Sequence, residues 1–345
     1  MRRTGLLSTI IENDNAGRCY DGPMARTIVG VLRGGTSGEY DLSLKTGASI
    51  LNALPEDAYD TRDIFIDKKG FWHARGVPTD PARVLSQVDV VVNGLHGGVG
   101  EDGTVQRILA KLSVPYVGSD ALASSLSLNK IRAGDILEKT GLTMPHAYVF
   151  AASRSIDTGA MARAVFSRFG PPYIVKPPFE GASIGIRLVP TIVELPDVLA
   201  DVLEAYGSAI VEEFVLGQEA TVGVVEDFRG EDLYAFPPAR VMYPEASPFL
   251  HFDHHTGGEI EYLVPSDFLD SEKRALMDAA RNAHRALGLS HFSRADFILT
   301  KRGPYLLEVN ALPGLHQHAA LPHMLASVGA SLKDFLGHAI GLSKR

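Results

Sequence analysis

Apolar positions in this chain fall alternately into short unbroken runs and into helical spacing. Thr27-Ile-Val-Gly-Val-Leu32 reads as a buried strand and leads into a glycine-rich loop, Arg33-Gly-Gly-Thr-Ser-Gly-Glu39. A helix is predicted next, with Leu44, Ala48, Leu51 and Ala53 on its apolar side. A second buried strand, Val88-Asp-Val-Val-Val92, enters another such loop, Asn93-Gly-Leu-His96-Gly-Gly-Val-Gly-Glu101-Asp-Gly103. Val105, Ile108, Leu109 and Leu112 then recur with the spacing of an amphipathic helix, and Val114-Pro-Tyr-Val-Gly118 is a third short strand. Strands alternating with helices build a parallel sheet, which takes its ligands at the carboxyl ends of the strands. Both glycine loops lie at that end.

The pattern changes further along. Helical sequence around Asn129-Lys130-Ile131 precedes a strand, Pro172-Tyr-Ile-Val-Lys176, and then a loop, Pro177-Pro-Phe-Glu180-Gly-Ala-Ser-Ile-Gly185. Strands follow at Ala209-Ile-Val-Glu212-Glu213-Phe-Val215 and Glu219-Ala-Thr-Val-Gly-Val-Val225. From about Ser271 a helix places Leu276, Ala279, Ala280, Ala283 and Leu287 on one face, with Gly288 at its stop. Finally, Arg294-Ala-Asp296-Phe-Ile-Leu and Tyr305-Leu-Leu-Glu308-Val-Asn310, joined through Thr300-Lys-Arg-Gly303, predict a β-hairpin.

Composition narrows the class. A chain of 345 residues suggests two or three domains at roughly 100–200 residues each. No apolar run approaches the roughly 18–20 residues of a membrane-spanning helix, and Leu6–Ile11 is too short and interrupted for a signal sequence. Cys19 stands alone, which excludes an internal disulfide framework and a cysteine-based zinc site. A net charge of −8 offers no footprint for nucleic acid. The expectation is a cytoplasmic protein acting on small molecules, without nucleic-acid or membrane partners, in which residues 1–23 are a flexible extension or an over-long start.

The candidate chemistry lies on the hairpin and in the middle loop. Side chains alternate along a strand, so Glu308 and Asn310 share a face and Asp296 can meet them from the partner strand. Two carboxylates and a carboxamide form an all-oxygen set suited to Mg²⁺ carrying substrate phosphates. A polar strand end is the plainer alternative for the hairpin alone. Lys176 ends a strand just before a loop in which Gly181, Ser183 and Gly185 can offer donors to an anion. Lysine, loop and hairpin would each handle a different part of Mg-ATP.

The hairpin resembles the metal-binding hairpin of ATP-grasp ligases, and its continuation Asn310-Ala-Leu-Pro-Gly314 has the form found in D-alanine–D-alanine ligases. Arg33–Glu39, Leu95–Thr104, Ser127–Lys130, Ile174–Pro177 and Glu180–Gly185 resemble that family's motifs in the expected order, so the likeness runs over nearly the whole chain from Met24. It implies an α/β fold, α+β in its C-terminal part: a three-domain ATP-grasp architecture with a parallel α/β substrate domain at 24–118, a central domain at 119–211 and a C-terminal domain at 212–345. It further implies ATP, a pair of Mg²⁺ ions that Mn²⁺ can replace, a homodimer, and ligation of two D-alanines through an acyl phosphate for peptidoglycan synthesis.

Carried over by position, the resemblance assigns the metal to Asp296, Glu308 and Asn310. It assigns ATP to Lys130, Lys176, the loop residues Glu180, Gly181, Ala182 and Ser183, the hinge residues Glu212, Glu213 and Val215, and Glu219 at the ribose. Glu39 would receive the first substrate's ammonium group, Arg294 and the Gly314 amide would stabilise the oxyanion, and Ser183 would complete the catalytic set. Ser43, His96, His318 and Ala319 would contact substrate. Three departures lie on the amino-acid side. Ala182 stands where the family has serine, the lid around 248–261 lacks the family's Lys-Tyr pair and carries His251, His254 and His255, and Ala319 replaces the serine that holds the second carboxylate. These point to a changed second substrate or a changed lid closure, with D-hydroxy acids (giving a depsipeptide) among the candidate acceptors; drift with compensation from elsewhere, such as Tyr262, and loss of activity are the other readings. Another ATP-grasp carboxylate–amine ligase and a nucleotide-binding module without turnover are the remaining alternatives.

Overall fold

The computed structural model describes residues 26–152, 157–181, 183–243 and 260–344. The N-terminal extension, Ala182 and the three lid histidines lie outside these residues.

The first sheet contains β1 (Thr27–Gly34), β2 (Tyr59–Ile66), β3 (Trp72–Ala74), β4 (Val77–Pro78), β5 (Val90–Asn93) and β6 (Tyr116–Val117), in the order β4-β3-β2-β1-β5-β6. β1 pairs in parallel with β2 and β5, and β5 with β6, as alternation with helices requires. β3 and β4 add an antiparallel edge that the sequence pattern did not reveal. Helices α1 (Tyr40–Ala53), α2 (Pro81–Leu85) and α3 (Thr104–Lys111) connect these strands. The buried face of α1 is not the predicted one. It consists of Leu42, Ser43, Thr46, Gly47 and Ile50. At Gly47 a Cβ would stand 2.4 Å from Cβ of Arg33, so close packing on β1, not the most apolar stripe, fixes the helix rotation.

The central sheet is antiparallel, in the order β7 (Ala147–Ala151), β10 (Ser208–Glu213), β8 (Tyr173–Lys176), β9 (Arg187–Val189). Helices α6 (Thr158–Phe166) and α7 (Leu195–Tyr206) pack on it around Val165, Tyr173, Val175, Leu199 and Val211. Between the first and second sheets lie α4 (Ala121–Leu128) and α5 (Lys130–Lys139). Asn129 accepts a hydrogen bond from the Arg132 amide at 3.1 Å and so caps α5. Ala123, Ala133 and Leu137 of this pair bury against the third sheet.

The third sheet runs β14 (Glu261–Leu263), β13 (Ala239–Met242), β11 (Gln218–Phe228), β15 (Phe292–Thr300), β16 (Gly303–Asn310), with β12 (Glu231–Ala235) also on β11. The β15–β16 hairpin closes at Thr300 opposite Gly303, as predicted. Helix α8 (Asp270–Ala286) covers this sheet with Leu276, Ala279, Ala280 and Ala283. The last helices, α9 (Ala320–Ser327) and α10 (Leu332–Leu342), share a core with β1 and β5, where Phe335, Leu336 and Ile340 meet Val29, Val31 and Val92. These helices hold the third sheet against the first, and the glycine loops therefore face the hairpin.

Candidate active site

The hairpin register sets the centre of the site. Asp296 lies directly opposite Glu308, and Arg294 opposite Asn310, with a register shift after Asp296. Asn310 Nδ2 donates to Asp296 Oδ2 at 3.0 Å and lies 3.5 Å from Glu308 Oε1. Thr221 on β11 donates to Asp296 Oδ1 at 2.6 Å. Arg294, two residues away on the same strand face, grips both oxygens of Asp296 at 2.9 and 2.7 Å. Its guanidinium is held further above its ordinary value: burial disfavours the charge, but Asp296 outweighs burial.

Both lysines converge here from the central part. Lys130, at the start of α5, donates to the Glu180 carbonyl at 2.9 Å and lies 2.9 Å from Glu308 Oε2. Burial alone would raise the Glu308 carboxyl, but Lys130, with Lys176 and Arg294, brings it down to about 2. Lys130 responds reciprocally: burial lowers it, the contact with Glu308 wins, and its ammonium is held above the usual lysine value. Lys176 ends β8, buried, with Nζ 2.7 Å from Glu212 Oε2 on neighbouring β10.

One cavity spreads from this centre between the second and third sheets, lined by Lys176, Ser183, Glu212, Glu213, Val215, Glu219 and Tyr243. Glu213 Oε1 accepts from the His146 amide at 3.0 Å, which ties the hinge strand to the start of β7. Glu219 is pushed up to about 8 by burial and by Asp296 and Glu308, with Arg294 and the hydrogen bond from Tyr243 opposing. Tyr243 is pushed up to about 12, by burial first and then by Glu219.

A second cavity opens between the first and third sheets, lined by Glu39, His96, Glu101, Gly181, Gly314, His318 and Ala319. Glu39 is only 7 % exposed, and its carboxyl is pushed up to about 8 by burial and then by Glu101 and Glu308, with Lys130 opposing. Gly97 and Gly181 close on it: a Cβ would stand 2.7 or 2.4 Å from Glu39 Oε1, so a side chain at either position would displace that carboxylate, and the φ of 63° at Gly97 further favours glycine there. His96 Nε2 is 2.7 Å from Thr46 Oγ1, and its Nδ1 is 3.6 Å from Glu101 Oε1. Glu101 also accepts from the Gly97 amide at 3.0 Å.

Ser43 does not reach this cavity. It is fully buried, accepts from the Gly34 amide at 2.8 Å and donates to the Gly94 carbonyl at 2.8 Å, so it braces the two glycine loops instead of touching substrate. Ala319 is the N-cap of α9, and its methyl group offers that helix end no hydrogen bond. Gln317 Nε2 and His318 Nε2 are 2.8 Å apart beside it. Sequence reasoning gave no separate role to Glu101, Thr221 or Tyr243. Glu101 lay in a quoted loop, but only the fold shows that it faces Glu39.

Residues 136–340 match the family model described as D-ala D-ala ligase C-terminus, and residues 73–119 match the D-ala D-ala ligase N-terminus. The chain is 36 % identical over 318 residues to a D-alanine–D-alanine ligase of Geobacter sulfurreducens, across 90 % of this chain and 92 % of that one.

The chain belongs to the D-alanine–D-alanine ligase family.

The family's solved structures agree. The D-alanine–D-alanine ligase of Bacillus anthracis, complexed with ATP, matches with a TM-score of 0.77 at 26 % identity, over 92 % of this chain and 98 % of that one. The VanG D-Ala:D-Ser ligase of Enterococcus faecalis matches with a TM-score of 0.77 at 25 % identity, over 92 % of this chain and all (100 %) of that one. The ATP-grasp expectation is borne out, and family membership makes the chain an ATP-dependent ligase.

Proposed function

We propose that this protein joins two D-alanine molecules at the expense of ATP, supplying D-alanyl-D-alanine to peptidoglycan precursor synthesis. The observation that carries this reading is the meeting of Lys130, Arg294, Asp296, Glu308 and Asn310 where the two cavities adjoin. The larger cavity would take ATP, with Glu212, Glu213 and Val215 at the base, Glu219 at the ribose, and Lys130, Lys176 and the Glu180–Ser183 loop at the phosphates. The smaller would take the amino acids, the first on Glu39 and His96 and the second near His318 and Ala319.

Asp296, Glu308 and Asn310 fit Mg²⁺ by donor chemistry. Two carboxylates and a carboxamide on facing strands are hard oxygen donors, which suit an ion that keeps water and phosphate ligands. Asn310 turns its Nδ2 toward both carboxylates, and a half-turn of the amide would present Oδ1 without changing its shape. When bound, the metal neutralises charge on the phosphates and orients them. The chain's own groups do the rest. Lys130 and Lys176 neutralise the phosphates as the first substrate's carboxylate attacks the γ-phosphorus and ADP leaves. The resulting acyl phosphate has a good leaving group, which a free carboxylate lacks. The second amine then attacks the acyl carbon, and Arg294 and the Gly314 amide face the oxyanion.

ADP release dependent on D-alanine, with product mass read alongside, tests this. ADP release without D-alanine, or a different product mass, would replace it with another carboxylate–amine ligase. A second reading rests on Ala319: without a hydroxyl there, the acceptor is another D-amino or D-hydroxy acid. The domain limits 24–118, 119–211 and 212–345, a cytoplasmic location and a homodimer belong to the first reading by resemblance. No helix among the described residues is long and apolar enough to cross a membrane.

A further inference from the structure

Among the described residues, two line both cavities, Arg294 and Tyr262. Arg294 is already committed to Asp296 through two hydrogen bonds. Tyr262 comes from a different element. It sits at the centre of β14, opposite Val241, between Glu261 and Leu263, which are both exposed. Strand alternation therefore turns Tyr262 inward while its neighbours face solvent. Its ring packs against that of His323 on α9 with centroids 5.6 Å apart. The charged groups acting on the phenol are Arg294, Asp296 and Glu219. This is the wall that a phosphoryl group must cross to pass from a nucleotide in one cavity to a carboxylate in the other.

We propose that Tyr262 is a catalytic residue, whose hydroxyl donates a hydrogen bond to the phosphoryl oxygens during transfer from ATP to the first amino acid's carboxylate. The inference rests on the ligase reading above. In that step a carboxylate oxygen forms the new bond to phosphorus, the bond to the bridging oxygen breaks, and ADP leaves with the electron pair. No proton need move. A phenol titrates ordinarily near 10, so it remains a donor throughout the neutral range. A fixed donor aimed at the charge of a transferring phosphoryl group acts where water is excluded, and removing one such donor costs about 10²–10³ in rate.

Tyr262→Phe tests this, because it keeps the ring against His323 and deletes only the hydroxyl. The expected result is a fall of about a hundredfold in kcat, with ATP affinity measured by direct binding unchanged. Exchange of the β,γ-bridging oxygen of ATP in the presence of D-alanine, which reports reversible phosphoryl transfer separately from dipeptide formation, should fall by the same factor. Unaltered kcat overturns the proposal. So does unaltered oxygen exchange alongside slower dipeptide formation, or loss of ATP binding in proportion to kcat. Failure of the ligase reading would show separately, as wild-type protein that releases no ADP in response to D-alanine.

Discussion

Lys130 Nζ stands 2.9 Å from Glu308 Oε2, joining the first turn of α5 to the last strand of the β15–β16 hairpin. The pair is scarcely exposed, with side chains 12 % and 27 % accessible. Each charge therefore depends on the other. Breaking such a pair from one side leaves an uncompensated charge, whereas an isosteric neutral partner still offers Lys130 an oxygen. Glu308→Gln should consequently fold normally and bind nucleotide weakly. Turnover should drop by at least about a hundredfold, because a charge that balances the phosphoryl site is lost. Mg-ATP turnover equal to wild type would make the hairpin a polar sheet edge.

Glu39 sets a pH dependence whose sign follows from its burial. Its carboxyl, at about 8 against an ordinary 4.5, holds a proton in the free protein at neutral pH. An arriving ammonium group favours the carboxylate, so binding of the first amino acid releases that proton. Apparent affinity for the first D-alanine should rise between pH 6 and 8, by at most about tenfold per unit, and then level off. Steady-state KM over this range measures it. Glu39→Gln should weaken first-substrate use far more than ATP use and flatten the profile. Equal effects on both substrates would reduce Glu39 to a carboxylate at the start of α1.

Ala319 gives a two-part prediction. A serine hydroxyl there would restore a hydrogen bond to an acceptor carboxylate, corresponding to roughly 1.5–3 kcal/mol. Ala319→Ser should lower the KM for the second D-alanine by about tenfold or more and leave that for ATP unchanged. It should also cap α9, raising stability by about 1 kcal/mol in chemical denaturation. Pro322, at the third helical position, has no N–H, so Leu321 is the sole nearby cap target and the hydroxyl is shared between cap and substrate. Stabilisation without any change in KM would place the acceptor carboxylate elsewhere.

At the far edge of the first sheet, His291 Nδ1 accepts from the Gly118 amide at 3.0 Å, and the His291 amide donates to Glu226 Oε2 at 2.7 Å. Accepting requires an unprotonated ring nitrogen. Burial, together with His338 and His284, holds the His291 imidazole below its ordinary 6.5 against the pull of Glu226. The unfolded chain thus binds a proton that the folded chain refuses. Stability from this contact is complete above about 6.5 and is lost as pH falls below it. Thermal midpoints between pH 8 and 5.5 should decline, and His291→Asn, which tolerates the positive φ of 64° there, should make the decline shallower. An unchanged slope would show that other groups govern acid lability.

What the chain determined alone was local. Strand alternation put Glu308 and Asn310 on one face, and the turn at Thr300–Gly303 set the pairing as far as Phe297 opposite Leu306, whereas the register shift after Asp296, which brings Asp296 opposite Glu308, is a feature of the folded sheet. The glycine loops and Lys176 at a strand end were legible because they too are local. The face of α1 was not, because Gly47 and Ser43 are buried by contacts with Arg33, Gly34 and Gly94, and hydropathy does not encode such contacts. Nor could spacing show that Glu101 faces Glu39, or that Tyr262 stands between the two cavities. Each of those meetings joins segments far apart in the chain, brought together by α9 and α10 packing the third sheet against the first. Burial then decides the chemistry: the same carboxyl that is ordinary in the sequence holds its proton to about pH 8 as Glu39 and loses it near 2 as Glu308, because one sits among other carboxylates and the other against Lys130.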